Sequence, residues 1–147
     1  MPRLFLLLVS VCVLLPIACR LPPEREPLRP LPEDGSAAGF TYKELLDRAH
    51  AQFSVAIDAF YADSWKDLEE AAKGLEQTAR FLPKSAAPPA GLKEDVIARS
   101  KALRAEAVRL GDAARLKKVD DSNDALKNIN LHVRSLRPPE VRLPEPK

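Results

Sequence analysis

Four stretches of the chain carry apolar side chains at alternating spacings of three and four residues, which is the period of an α-helix. In the first two stretches these positions are Tyr42, Leu46, Ala49, Phe53, Ala56 and Phe60, then Trp65, Leu68, Ala72, Leu75, Ala79 and Leu82. In the last two they are Val96, Ser100, Leu103, Ala107, Leu110 and Ala114, then Leu126, Ile129, Val133 and Leu136. No stretch alternates with the period of two typical of a β-strand, so the pattern predicts an all-α protein.

Capping and loop signals set the bounds of these helices. Thr41 with Glu44, and Ser64 with Asp67, have the spacing of a capping box. The segment 83–91 is rich in proline and alanine and predicts a loop. We therefore expect helices at about 41–60, 65–82, 93–115 and 122–136, packed as an antiparallel four-helix bundle.

The first 18 residues are typical of a secretory signal peptide. Arg3 gives a positive start, and an apolar run of 15 residues follows from 4 to 18. A membrane-spanning helix needs about 20 apolar residues. We therefore predict that 1–18 is a cleaved signal peptide, with a buried helix or a membrane anchor as the alternative.

Ala18 and Cys19 resemble the end of a bacterial lipobox, in which a small residue precedes a cysteine that becomes lipidated. Leu15 lies one position too early for that pattern, and Pro16 stands where leucine is usual. The resemblance implies that Cys19 is lipidated, becomes the first mature residue and holds the chain at a membrane. Without lipidation, a general signal peptidase would cut nearby and release the chain.

The segment 19–39 interleaves prolines with charged residues, namely at Pro22, Pro23, Pro27, Pro30 and Pro32. Proline fixes φ and lacks a backbone donor, so the segment predicts a semi-rigid tether. The bundle is expected to occupy 40–137, and 138–147 forms a proline-rich charged tail.

Several kinds of chemistry are excluded from the bundle. The only cysteines are Cys12 and Cys19, so the bundle has no disulfide, zinc–thiolate site, iron–sulfur cluster or cysteine nucleophile. The net charge of +2 gives no argument for a nucleic-acid partner. A di-iron bundle would require acidic residues on the apolar stripes, and these stripes carry none. We interpret Asp47 and His50 as surface or flanking residues rather than a metal site. The sequence predicts neither a metal site nor an enzyme.

The fourth helix carries a family resemblance. Its histidine near the C-terminus, the helix lengths and Trp65 at the start of the second helix resemble the cytochrome c-prime family, whose last helix carries Cys-x-x-Cys-His. In the aligned window 128–132, His132 is retained while Asn128 and Leu131 replace the two cysteines. Because covalent haem attachment needs the sulfurs, the resemblance implies a relative without covalently bound haem.

These observations lead to two functional hypotheses. The first is an exported, lipid-anchored, non-enzymatic bundle that has no cofactor and serves as an interaction or structural module in the cell envelope. Its partners would be the membrane, through Cys19, and another protein or a second copy of the chain. The alternative is an electron-transfer or gas-binding protein with non-covalent haem, in which His132 is an axial ligand and His50 the nearest candidate for a second one.

Overall fold

The computed structural model describes residues 31–32, 39–86 and 93–138, and the helices of these parts match the predicted architecture. The α-helices are α1 (Tyr42–Tyr61), α2 (Trp65–Phe81), α3 (Lys93–Arg115) and α4 (Val119–Ser135). A 3-10 turn, Leu82–Lys84, follows α2 directly. The described residues contain no strand, only an isolated bridge between Thr41 and Ala86. The all-α, four-helix prediction is confirmed, while 1–18, Cys19 and 139–147 lie outside the described residues.

The predicted helix bounds agree with the structure except at the start of α4. This helix begins at Val119, three residues before the predicted Ser122. Lys118 occupies the N-cap position, and Asp120 and Asp121 lie in the first turn, where carboxylates stabilise the helix dipole. Ser122 is consequently a fully buried residue of the first turn and not a cap.

Of the two predicted capping boxes, one forms. The backbone N–H of Glu44 donates to Thr41 Oγ1 at 3.2 Å, and the N–H of Thr41 donates to Glu44 Oε2 at 2.7 Å. At α2, Ser64 instead donates its hydroxyl to Asp67 Oδ2 at 2.6 Å and caps no backbone N–H. The second capping box was therefore wrong, because the serine hydroxyl bonds to the carboxylate rather than to the helix backbone.

A Schellman motif ends α1. The N–H of Asp63 donates to the carbonyl of Phe60 at 3.2 Å, and the N–H of Ser64 donates to that of Ala59 at 2.9 Å. Asp63 has a φ of 55°, in the left-handed region that this motif requires. Ser64 is at the same time the N-cap of α2, so the chain reverses direction within three residues.

The connection between α3 and α4 has the same construction. Lys117, with a φ of 52°, donates its N–H to the carbonyl of Ala114 at 3.1 Å. The backbone N–H of Lys118 donates to the carbonyl of Ala113 at 2.9 Å, and Lys118 is itself the N-cap of α4. The described bundle is thus built from two helical hairpins with matching turns.

Contacts between the hairpins show that neighbouring helices are antiparallel. From α2 to α3, Glu76 Oε1 lies 3.1 Å from Arg104 Nη2, while Glu69, earlier in α2, lies 3.7 Å from Arg115, later in α3. From α1 to α4, Tyr42 Oη donates to the carbonyl of Leu136 at 2.5 Å. We call the end that holds the start of α1 and the end of α4 the terminal end, and the opposite end, with both turns, the hairpin end.

One core runs through the bundle. Every predicted stripe position of α3 and α4 is buried, and so is every one of α2 except Trp65. In α1 the buried face is rotated relative to the prediction, because Phe53 and Phe60 are only half-buried. The inward positions of α1 are taken by Tyr42, Leu45, Leu46, Ala49, Gln52, Ala56 and Ala59.

Two residues before α1 also join the core. Phe40 is buried, and Leu31, which lies within the predicted tether, is partly buried against the core cluster. The tether segment therefore contacts the bundle at Leu31. Within the described residues, no helix combines the length and the apolar character needed to cross a membrane.

Candidate functional site at the two ends of the bundle

The window predicted to correspond to a haem-attachment motif lies on the outer part of α4. Leu131 is 63% exposed, and Asn128 and His132 are half-buried. Their inward neighbours Ile129 and Val133 belong to the core. His132 lines none of the clefts described below, and its role as a haem ligand stays a prediction.

His50 contacts the segment that follows α4 rather than His132. Its Nε2 accepts a hydrogen bond from Arg137 Nε at 3.2 Å. Burial lowers the pKa of His50 below its ordinary value, and the charge of Arg137 lowers it further, while Asp47 acts in the opposite direction. A neutral imidazole is the form that can accept this bond. Within the described residues, no group of three histidine, cysteine or acidic side chains is placed to hold a metal ion.

The terminal end carries a cleft of about 360 Å³ between the start of α3 and the end of α4. We call it the basic cleft, and it is lined by Tyr42, Asp95, Val96, Arg99, Arg134, Ser135, Leu136 and Arg137. Arg99 has its partners within the cleft, because it pairs with Asp95 at 3.3 Å and donates to the carbonyl of Ser135.

The other two arginines of the basic cleft have no acidic partner within the described part of the chain. Arg134 and Arg137 are both exposed, and neither forms an ion pair there. Arg137 contacts the neutral His50. Arg134 lies in the last turn of α4, where a cation interacts favourably with the helix dipole. These two guanidinium groups therefore present uncompensated positive charge at the terminal end.

Charge is distributed unevenly along the whole bundle. Dividing each helix near its middle gives a terminal half and a hairpin half, consisting of residues 39–51, 74–86, 93–104 and 128–138 against 52–73 and 105–127. The terminal half has ten basic and five acidic side chains, whereas the hairpin half has seven basic and ten acidic ones. The small net charge of the chain thus conceals a bundle with one basic end and one acidic end.

An aromatic cluster lies at the hairpin end, formed by Phe60, Tyr61 and Trp65 around the α1–α2 turn. The Phe60 ring meets that of Trp65 edge-on at a centroid distance of 6.5 Å and that of Tyr61 at 5.6 Å. Tyr61 is 80% exposed. Aromatic side chains are enriched in protein–protein interfaces, where they supply large contact area at low entropic cost.

A second apolar feature of the hairpin half lies along α3. A cleft of about 320 Å³ is lined in part by the exposed side chains Val108 and Leu116, and its charged lining residues are Arg109, Asp112, Lys118 and Asp121. Val119, at the start of α4, is also exposed. Exposed apolar groups thus occur in both hairpins near this end.

The sequence predicted only part of the role of these residues. Phe60 and Trp65, predicted on the apolar stripes, pack against the core but are only half-buried. Arg134 and Arg137 follow His132 in the sequence, and no local pattern there assigns them a role. The charge separation becomes visible in the sequence only once the helices are folded antiparallel, because the charges of one end come from four separate segments.

Comparison of the chain with protein-family models, with curated proteins and with solved structures finds no match in any of the three.

Proposed function

We propose that this protein is an exported, lipid-anchored, non-enzymatic module, which stands on a membrane by its terminal end and offers the aromatic cluster to a protein partner in the cell envelope. The observation that carries the proposal is the 80% exposure of Tyr61 within a packed aromatic cluster at the end opposite the chain entry. The supports from the sequence are the signal-like segment 1–18, Cys19 and the tether.

The geometry of α1 gives the proposal its orientation. Thr41, where the chain enters the bundle, and Tyr61 lie at opposite ends of this helix. A helix rises about 1.5 Å per residue, so α1 separates them by roughly 30 Å. A lipid on Cys19 connects to the terminal end, and with that end against the membrane the aromatic cluster points away from the membrane surface.

The aromatic cluster has the properties of an interface centre. Its rings are packed edge-to-face, an arrangement that stabilises aromatic pairs and holds Tyr61 against Phe60. An ordered aromatic side chain loses less conformational entropy on binding than a long flexible one. Three acids, Asp58, Asp63 and Asp67, and one base, Lys66, flank the cluster in the sequence, and this net negative charge favours a partner with basic residues around an apolar patch.

The anchor is tested on the mature protein isolated from the producing cell. We expect the mass of its N-terminal peptide to correspond to a lipidated Cys19, and the protein to fractionate with membranes. Cys19→Ser should abolish the modification and move the protein to the soluble fraction when the membranes are washed at high salt, which removes electrostatic attachment. An unmodified N-terminus downstream of Cys19 would remove the anchor from the proposal.

The interaction surface is tested by photo-crosslinking in the same cells. A photoreactive phenylalanine analogue at Tyr61 should give a discrete adduct with another protein. The matched control carries the same analogue at Leu131, which is 63% exposed on α4. Absence of an adduct from position 61, or the same adduct from both positions, would contradict a partner site at the aromatic cluster.

A further inference from the structure

We propose that the terminal end binds the anionic phospholipid headgroups of the membrane that anchors the chain, with Arg134 and Arg137 contacting lipid phosphates at the basic cleft. The inference rests on the proposed function for its orientation, because the tether joins the bundle at this end. It adds a second, electrostatic attachment that does not require the lipid on Cys19.

The charge distribution carries the first step of the argument. The terminal half has an excess of five basic side chains, and the hairpin half an excess of three acidic ones. A basic surface is attracted to an anionic membrane over about one Debye length. The acidic hairpin half is repelled by the same membrane, so the charges alone favour the orientation that the tether imposes.

The segments adjoining the terminal end do not cancel this charge. The segment 20–38 has three basic and four acidic residues, and 139–147 has two of each. The loop residues 87–92 carry no charge. Together they contribute a single negative charge against the excess of five positive ones.

The basic cleft supplies the groups that would contact a phosphate. Asp95, the one acid among the described residues that line it, is already paired with Arg99, and Arg99 is further held by the carbonyl of Ser135. The exposed Arg134 and Arg137 have no acidic partner in the described part of the chain. Guanidinium groups bind phosphate oxygens through paired hydrogen bonds, which a lipid headgroup could provide.

The test uses the chain from Arg20 to Lys147, which includes every residue of the described core but no lipid. Sedimentation with vesicles of phosphatidylcholine alone is compared with vesicles that also contain phosphatidylglycerol. We expect binding only to the anionic vesicles, and weaker binding as salt is raised.

Paired variants locate the contact. Arg134→Gln with Arg137→Gln should weaken vesicle binding by roughly thirtyfold, since each basic residue near the surface contributes about one kcal/mol. The matched control, Lys66→Gln with Lys117→Gln, removes the same charge from exposed positions of the hairpin half and should change binding by less than about twofold. Arg134→Lys with Arg137→Lys should restore most of the binding, and circular dichroism checks that each variant is folded.

Three outcomes would overturn the inference: equal binding to neutral and anionic vesicles, equal losses in the two Gln pairs, or no binding to anionic vesicles while inorganic phosphate stabilises the protein against thermal unfolding more than chloride does at the same ionic strength. The last would mean that the cleft takes a free phosphate rather than a lipid surface. Failure of the lipid anchor appears separately, as an unmodified Cys19 in cells, and leaves vesicle binding by the unlipidated chain unaffected.

Discussion

At the scale of single residues, a hydrogen-bonded polar pair lies inside the core between α1 and α2. Thr78 donates its hydroxyl to Gln52 Oε1 at 2.7 Å, and both side chains are buried. The Gln52 amide occupies the space beside Gly74, since a Cβ on Gly74 would lie 2.7 Å from Gln52 Nε2. Gly74 is thus the helical position that accommodates the buried amide.

Two glycine-to-alanine variants should therefore change stability in opposite directions. Alanine is favoured over glycine in a helix by about 1 kcal/mol. At Gly111 the new Cβ would lie 3.7 Å from the Cβ of Ala72, an ordinary contact, so Gly111→Ala should raise the free energy of unfolding by about 1 kcal/mol. Gly74→Ala should lower it by about 1 kcal/mol, because displacing Gln52 disrupts a buried hydrogen bond worth roughly 1–3 kcal/mol. Urea denaturation measures both.

A double variant provides the control for this explanation. With Gln52→Ala already present, the space beside Gly74 is empty of the amide, and Gly74→Ala should become stabilising by about 1 kcal/mol. If Gly74→Ala destabilises equally in both backgrounds, Gln52 is not the cause.

His50 is expected to make stability depend on pH. Burial, and then Arg137, lower its pKa in the folded protein, so the unfolded chain binds more protons below the ordinary pKa of 6.5. The free energy of unfolding should therefore be largest above this value and fall as the pH drops through it towards the lowered pKa. Chemical denaturation at a series of pH values measures the effect.

Substitutions at His50 and Arg137 separate the two causes of the lowered His50 pKa, namely burial and the charge of Arg137. His50→Gln should remove this part of the pH dependence, whereas Arg137→Gln should only reduce it, because the larger cause, burial, remains. A profile that is the same in His50→Gln and in the natural protein would assign the pH dependence to other groups.

At the scale of elements, both helical hairpins have a non-glycine residue in the left-handed position of the turn. Lysine is strained there by roughly 1–2 kcal/mol, while aspartate tolerates the conformation better. Lys117→Gly should therefore stabilise the protein by about 1 kcal/mol and Asp63→Gly by less. The control Lys66→Gly, inside α2, should destabilise it by about 1 kcal/mol. Because Lys66 lies in the first turn of α2, where a cation opposes the helix dipole, Lys101→Gly in the middle of α3 is the stricter control and should destabilise the protein by about 1 kcal/mol. Thermal unfolding of these variants measures the order, and a larger gain at Asp63 than at Lys117 would contradict it.

The sequence predicted the positions of the four helices well and the buried face of α1 poorly. Helices were identified because their apolar stripes recur over about three to five turns. In α1, however, positions 42, 46, 49, 53, 56 and 60 and positions 45, 49, 52, 56 and 59 both have helical spacing. Gln52 lies in the second set, and a polar residue argues against burial unless its partner is known. That partner, Thr78, belongs to another helix, so only the folded chain shows which face is buried.

The basic cleft and the charge separation between the two ends could not be predicted from the sequence for a related reason. Tyr42 and Leu136 are 94 residues apart in the chain, yet the hydroxyl of one bonds the carbonyl of the other. Neither the basic cleft nor the charge separation is a local pattern. Both arise from the antiparallel order of the helices, which brings the start of α1 and α3 together with the end of α4.

At the scale of the whole molecule, the contacts between helices are unequal. The α2–α3 interface is the most extensive and the α1–α4 interface the least extensive of those between neighbouring helices. Ion pairs also join α2 to α3, at Glu76 with Arg104 and at Glu69 with Arg115. At the terminal end, hydrogen bonds also join α1 to the residues that follow α4. Tyr42 donates to the carbonyl of Leu136, and Arg137 donates to His50. The bundle should therefore open first between its first and last helices.

Hydrogen exchange followed by mass spectrometry tests this order. Because local opening requires less free energy where fewer contacts are lost, amides in the middle of α2 and α3 should exchange most slowly. Tyr42→Phe keeps the ring but removes the bond to the Leu136 carbonyl, with an expected cost of about 1 kcal/mol. It should accelerate exchange at the start of α1 and the end of α4 more than in α2 and α3. Uniform acceleration in all four helices would show instead that the described bundle opens as one unit, with α1 and α4 as firmly held as the central pair.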